Sequence, residues 1–85
     1  MRAIEVRGPG QGYTLAVAEI AKPAPGPGEV LIKIAAAGLN RADLAQAMGM
    51  YPPPPGAPAT LGMECSGTIE ALGADVSGFE IGDKV

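Results

Sequence analysis

Glycine and proline decide what this chain can build. They gather in Gly8-Pro9-Gly10-Gln11-Gly12, in Lys22-Pro23-Ala24-Pro25-Gly26-Pro27-Gly28 and in Pro52-Pro53-Pro54-Pro55-Gly56-Ala57-Pro58, and short apolar runs fill the intervals. Proline removes a backbone donor and fixes φ, and glycine opens turn conformations, so these groups read as turns and stiff connectors. The 13 glycines and 9 prolines would suggest low complexity if scattered, but they stand where turns belong. The pattern predicts a turn-rich, mainly β domain with one short helix.

Met1 to Arg7 alternates, with Ile4 and Val6 on one face and Glu5 and Arg7 on the other, which predicts a half-buried strand. Leu15 to Ile20 reads as a second strand. Glu29 to Ala37 is the strongest: Val30, Leu31, Ile32 and Ile34 leave only Lys33 charged, so it is expected to be central and covered on both faces. The small run Ala35-Ala36-Ala37-Gly38 permits close approach, either of another backbone or of a flat ligand. Gly67 to Leu72 gives a further strand, and Val85 reads as the start of another. The chain therefore reads as one domain spanning residues 1–85 and as a fragment of a longer protein.

Between the strands, Asn40 is a good N-cap residue and Asp43 follows three positions later, so Asn40 to Met48 predicts a short helix. Asp43 suits the helix dipole better than it suits acid catalysis. Leu44, Ala45 and Met48 form the expected inward face, and Gly49 supplies the stop. Tyr51 sits at the root of the proline loop.

Composition excludes several classes. A chain of 85 residues buries about 60 to 65% of its unfolded surface, so the core is marginal. With a formal net charge of −3 and no run of Lys or Arg, nothing marks a nucleic-acid or anionic-lipid partner. No apolar stretch approaches the roughly 20 residues that cross a bilayer. One cysteine, Cys65, makes no internal disulfide, and the N-terminus lacks a secretory pattern, so the cytoplasm is the expected compartment. Gly8 to Gly12 is not read as a phosphate loop, because Tyr13 stands where a dinucleotide fingerprint needs its third glycine and no helix pattern follows.

Three stretches, in order, carry a resemblance: Pro25-Gly26-Pro27-Gly28-Glu29-Val30-Leu31-Ile32-Lys33, Ala36-Ala37-Gly38-Leu39-Asn40-Arg41-Ala42-Asp43-Leu44, and Gly67-Thr68-Ile69-Glu70 running to Gly82-Asp83-Lys84-Val85. Together they resemble the N-terminal GroES-like catalytic domain of medium-chain dehydrogenases and reductases. Gly49-Met50-Tyr51-Pro52-Pro53-Pro54-Pro55-Gly56 is similar to the zinc-free quinone oxidoreductase branch that includes zeta-crystallin relatives. The fold this implies is a partly open β-barrel, the N-terminal portion of a catalytic domain whose Rossmann cofactor domain lies outside this chain.

The resemblance also implies chemistry. Zinc alcohol dehydrogenases carry a cysteine ligand at the position matched by Asn40 and a histidine ligand at that matched by Met63. Catalytic zinc needs about three protein ligands, and here there is no His and one Cys. Hydride transfer to a quinone or enone does not need the Lewis acid that alcohol oxidation uses. The expected activity is therefore an NADPH-dependent quinone oxidoreductase without zinc, inactive as an isolated 85-residue piece, and the resemblance leaves room for a homodimeric parent.

Under that resemblance Asn40 faces a substrate carbonyl or the nicotinamide ribose, against the plainer reading of a helix cap. Arg41 faces the cofactor pyrophosphate, against a solvated helix residue. Tyr51 lines the quinone pocket, against packing beneath the proline loop. Glu64 is expected as a buried, hydrogen-bonded carboxylate, Cys65 as a small core residue, and Met48, Met50 and Met63 as packing. Two alternatives stand beside this reading: an enoyl or alkene reductase of the same fold, which the sequence does not separate from it, and a non-enzymatic GroES-like module that binds a protein through the Gly8 to Tyr13 or Pro52 to Pro58 loop, which leaves the Asn40-Arg41-Ala42-Asp43 and Tyr51 combination unexplained.

Overall fold

The computed structural model describes all residues from Met1 to Val85. Its elements are strands β1 (Arg2–Arg7), β2 (Thr14–Glu19) and β3 (Val30–Ala37), helix α1 (Arg41–Ala47) and strand β4 (Cys65–Leu72). The fold is mainly β with one short helix, as the turn spacing predicts. The strands make two separate antiparallel ladders, β1 with β2 and β3 with β4. Contacts divide the chain into two compact units: Met1–Ala21 with Leu39–Met63, and Lys22–Gly38 with Glu64–Val85. No helix is long and apolar enough to cross a membrane.

In the first unit, β1 and β2 form a hairpin with Ile4 opposite Val17 and Val6 opposite Leu15. The glycine-rich turn between them has a second task. The backbone N–H of Gly10 donates to the carbonyl of Ala47 at 3.0 Å, satisfying one of the orphan carbonyls at the end of α1. A strand–turn–strand connection whose amide serves a helix end is no phosphate cradle.

Helix α1 stops in a Schellman arrangement: the N–H of Met50 donates to Ala45 at 2.8 Å and that of Gly49 to Gln46 at 3.0 Å. Gly49 takes φ 75°, a conformation glycine adopts without strain. The inward face differs from expectation. Asp43 and Ala47 are buried, while Leu44 and Met48 are 55% and 42% exposed. Capping geometry at the start and docking of Ala47 at the end fix the helix rotation, and the apolar stripe of Leu44 and Met48 is turned outward.

In the second unit, the connector before β3 folds as a turn. Glu29 N–H donates to the Gly26 carbonyl at 3.0 Å. With Pro27 second and Gly28 third at φ 74°, this has the residue pattern of a type II turn. The Glu29 carboxylate accepts the N–H of Gly26 at 2.8 Å, closing the same turn through its side chain.

β3 pairs only with β4, so it is one half of a ribbon and not the central strand its apolar run suggested. Ile34 is 58% exposed, because a two-stranded ribbon has too few neighbours to cover both faces. Ile69 in β4 is the one large side chain fully buried. Its N–H donates to Asp83 at 2.9 Å and its carbonyl accepts Gly82 at 2.8 Å. Val85 and Gly67 exchange both backbone bonds at 3.0 Å, in keeping with the extended character read there.

Candidate functional site

The sequence-selected residues Asn40, Arg41 and Tyr51 all lie in the first unit. Asn40 is the N-cap of α1, half-buried, with extended backbone at φ −126° and ψ 153°. The expected cap is present, but it runs through Asp43. Asp43 Oδ2 accepts the Asn40 backbone N–H at 2.9 Å, and the Asp43 N–H donates to the Asn40 carbonyl at 3.0 Å. Asn40 and Asp43 form a capping box, the Asn40 side chain facing the Asp43 N–H without closing a full cap hydrogen bond. Its amide nitrogen donates to no group in the chain and stays available to an outside acceptor.

Arg41 is the first helical residue; it is exposed and takes part in none of the ion pairs. Tyr51 follows the helix stop and is 49% exposed, so it is not sealed beneath the proline loop. That loop turns at Pro54 to Ala57, whose N–H bonds back to Pro54 at 3.0 Å with Gly56 at φ 85°. Gln46 Nε2 donates to the Ala59 carbonyl at 2.8 Å and ties the returning end of the loop to α1. These bonds root the segment that carries Tyr51 to the helix that carries Asn40 and Arg41.

A cavity of about 290 Å³ opens in the same unit, lined by Ile4, Val6, Ile20, Gln46, Pro52 and Pro53 among others. It is mostly apolar, and Asn40, Arg41 and Tyr51 are not among its lining residues. Sequence reasoning did not locate it. The signal available was weak: an alternating strand and a proline run enclose a hollow only when a helix side chain such as Gln46 closes the side.

Several expectations near the matched metal positions are corrected. Glu64 and Cys65 are exposed, where a buried carboxylate and a core thiol were expected. Met48, Met50 and Met63 are 42%, 74% and 58% exposed, so none is core packing. Cys65 stands at the end of the β3–β4 ribbon opposite Ala37, where few neighbours exist to cover it. The close approach permitted by Gly38 is taken internally, since a Cβ there would collide with the Glu64 side chain. No group of three or more His, Cys, Asp or Glu side chains could hold a metal ion.

Residues 26–85 match the alcohol dehydrogenase GroES-like domain. The chain belongs to that family, within the medium-chain dehydrogenase/reductase superfamily. This GroES-like domain is 48% identical over 85 residues to acryloyl-coenzyme A reductase of Sulfurisphaera tokodaii, matching 100% of this chain and 25% of that protein. It is 45% identical to the synaptic vesicle membrane protein VAT-1 homolog-like of Mus musculus, over 100% of this chain and 20% of the relative. Among solved structures it is similar to a mycobacterial quinone oxidoreductase, with TM-score 0.83 and 38% identity over 99% of this chain and 26% of the other. The GroES-like chain thus spans about a quarter or less of the length of the relatives it matches.

Proposed function

We infer that this chain is the substrate-side domain of a zinc-independent, NADPH-dependent reductase that delivers hydride to a quinone or a conjugated carbonyl. What carries the reading is the pair Asn40 and Met63, which under the family resemblance stand where zinc alcohol dehydrogenases have their cysteine and histidine ligands. A chain with no histidine and one cysteine supplies too few nitrogen and sulfur ligands for catalytic zinc. The zinc-free quinone oxidoreductase branch fits that change, and the likeness to a quinone oxidoreductase structure supports it.

In this reading the Asn40 amide donates to the acceptor's carbonyl oxygen or meets the nicotinamide ribose, the Tyr51 ring stacks on the flat acceptor, and the Arg41 guanidinium faces the pyrophosphate. The residues here do not form a dinucleotide cradle of their own. The Gly8 to Tyr13 turn joins two antiparallel strands and spends the Gly10 amide on Ala47. Most of the NADPH contact is therefore assigned to a Rossmann domain outside these residues. NADPH, when bound, would supply the hydride, and solvent one proton, which together complete the hydroquinone. We place the protein in the cytoplasm.

A second reading, reduction of an enoyl thioester, is favoured by the likeness to acryloyl-coenzyme A reductase. One assay separates them: full-length protein is given NADPH with a quinone, then with an enoyl thioester, and loss of nicotinamide absorbance is followed. Turnover with quinone, undiminished by a zinc chelator, is expected. Turnover confined to the thioester moves the assignment to the second reading, and chelator-sensitive alcohol oxidation overturns both. The isolated 85-residue chain is expected to show no turnover.

A further inference from the structure

Asp43 is the one charged side chain that this chain buries, with 9% of its surface exposed. Its two carboxylate oxygens fare differently. Oδ2 accepts the Asn40 N–H at 2.9 Å, a charge-assisted bond shielded from competing water. Oδ1 is buried without a partner. An unpaired buried acceptor is costly, and serving the helix dipole does not require it, because an exposed acid in the first turn does that as well. What burial adds is rigidity at Asn40: the lock holds its backbone at φ −126° and ψ 153°, which sets the direction of its side chain. In the usual capping box the N-cap side chain is itself engaged with the helix. Here the Asn40 side chain faces the Asp43 N–H in that way, and its amide nitrogen donates to no group in the chain.

We propose that Asp43 is a positioning residue that aims the free N–H groups of the Asn40 side chain at the carbonyl oxygen of the acceptor. Its role runs through Asn40; it does not touch substrate. The substrate half of the proposal rests on the reductase reading above, whereas the Asp43 lock on Asn40 stands on the hydrogen bond alone.

The test uses full-length protein carrying D43A, D43N, N40A or N40A with D43A. Backbone amide resonances are read from selectively ¹⁵N-asparagine-labelled samples, with the Asn40 signal assigned by its loss in N40A. D43A is expected to move the Asn40 amide proton upfield and to lower kcat/KM for quinone about tenfold, the scale of a slightly misplaced catalytic contact. D43N keeps an acceptor oxygen and is expected to stay within about threefold of wild type. In the N40A background D43A is expected to cost less than about twofold more, since residues that act through one another do not add. If D43A does not fold, D43S takes its place, its hydroxyl stopping one bond short of the Asn40 N–H.

An Asn40 resonance unchanged by D43A overturns the proposal. So does a D43A penalty equally large with and without Asn40, which marks a structural role only. If the wild-type protein reduces neither quinone nor enone, the reductase reading falls and takes the substrate half with it, while the amide resonance still decides whether Asp43 holds Asn40.

Discussion

Gly67 of β4 lies so close to the carbonyl of Lys33 on β3 that a Cβ added to it would press into that oxygen. Gly67 is also the residue that exchanges two backbone hydrogen bonds with Val85, each 3.0 Å long. One glycine thus joins the ribbon to the segment that ends at Val85, and its fit against Lys33 depends on its lack of a side chain.

Gly67→Ala is therefore expected to destabilise the chain by about 1–3 kcal/mol, as overpacking against rigid backbone does. Chemical denaturation followed by circular dichroism measures it. A midpoint equal to wild type would mean that the strands separate at little cost.

Burial ranks two apolar truncations in an order opposite to helix-pattern reasoning. Ile69 is 1% exposed, so Ile69→Ala is expected to cost about 2–5 kcal/mol and to broaden or abolish cooperative unfolding in a domain this small. Leu44 is 55% exposed despite its place in the helix's apolar stripe. Leu44→Ala is expected to stay within about 0.5 kcal/mol of wild type, and paired denaturation curves showing the reverse ranking would contradict the packing described.

Cys65 is exposed. A soluble thiol reagent is expected to modify it under native conditions at a rate close to that of the urea-unfolded chain, releasing one equivalent for the single cysteine. Protection lifted only by denaturant would return Cys65 to the core.

Tyr51 is half exposed, and the hydrogen bonds around it are made by the backbones of Gly49, Met50 and Ala57 and by the Gln46 side chain. Replacement by Ala is expected to leave stability within about 0.5 kcal/mol. If the proposed quinone reduction holds, the same change in the full-length protein is expected to raise KM for quinone about three- to tenfold, the scale of one lost aromatic contact. A large loss of stability with unchanged KM would assign Tyr51 to packing.

Much of the candidate site's framework is legible in the amino-acid sequence alone. Asn40 and Asp43 three residues apart announce a helix start, and Gly49 announces its end, because capping is local chemistry between near neighbours. The same reasoning failed at Leu44, Met48, Glu64 and Cys65. Their burial depends on what stands opposite, and an apolar or small residue is placed inside by pattern only if some other element arrives to cover it. The strand run Val30 to Ala37 misled for the same reason: its composition fits a strand covered on both sides, but its one ladder partner is β4.

The sequence by itself determined the elements and their punctuation: which stretches form strands to within a residue or two, that glycine turns separate them, and that zinc-binding side chains are scarce. These follow from backbone sterics and residue chemistry acting over a few positions. Only the tertiary structure decided that the Asp43 carboxylate is buried against Asn40, that the Gly10 amide closes the helix at Ala47, and that Gly67 fits beneath Lys33. Each is a contact whose energy depends on neighbours brought together by folding, and burial is a property of those neighbours as much as of the residue itself.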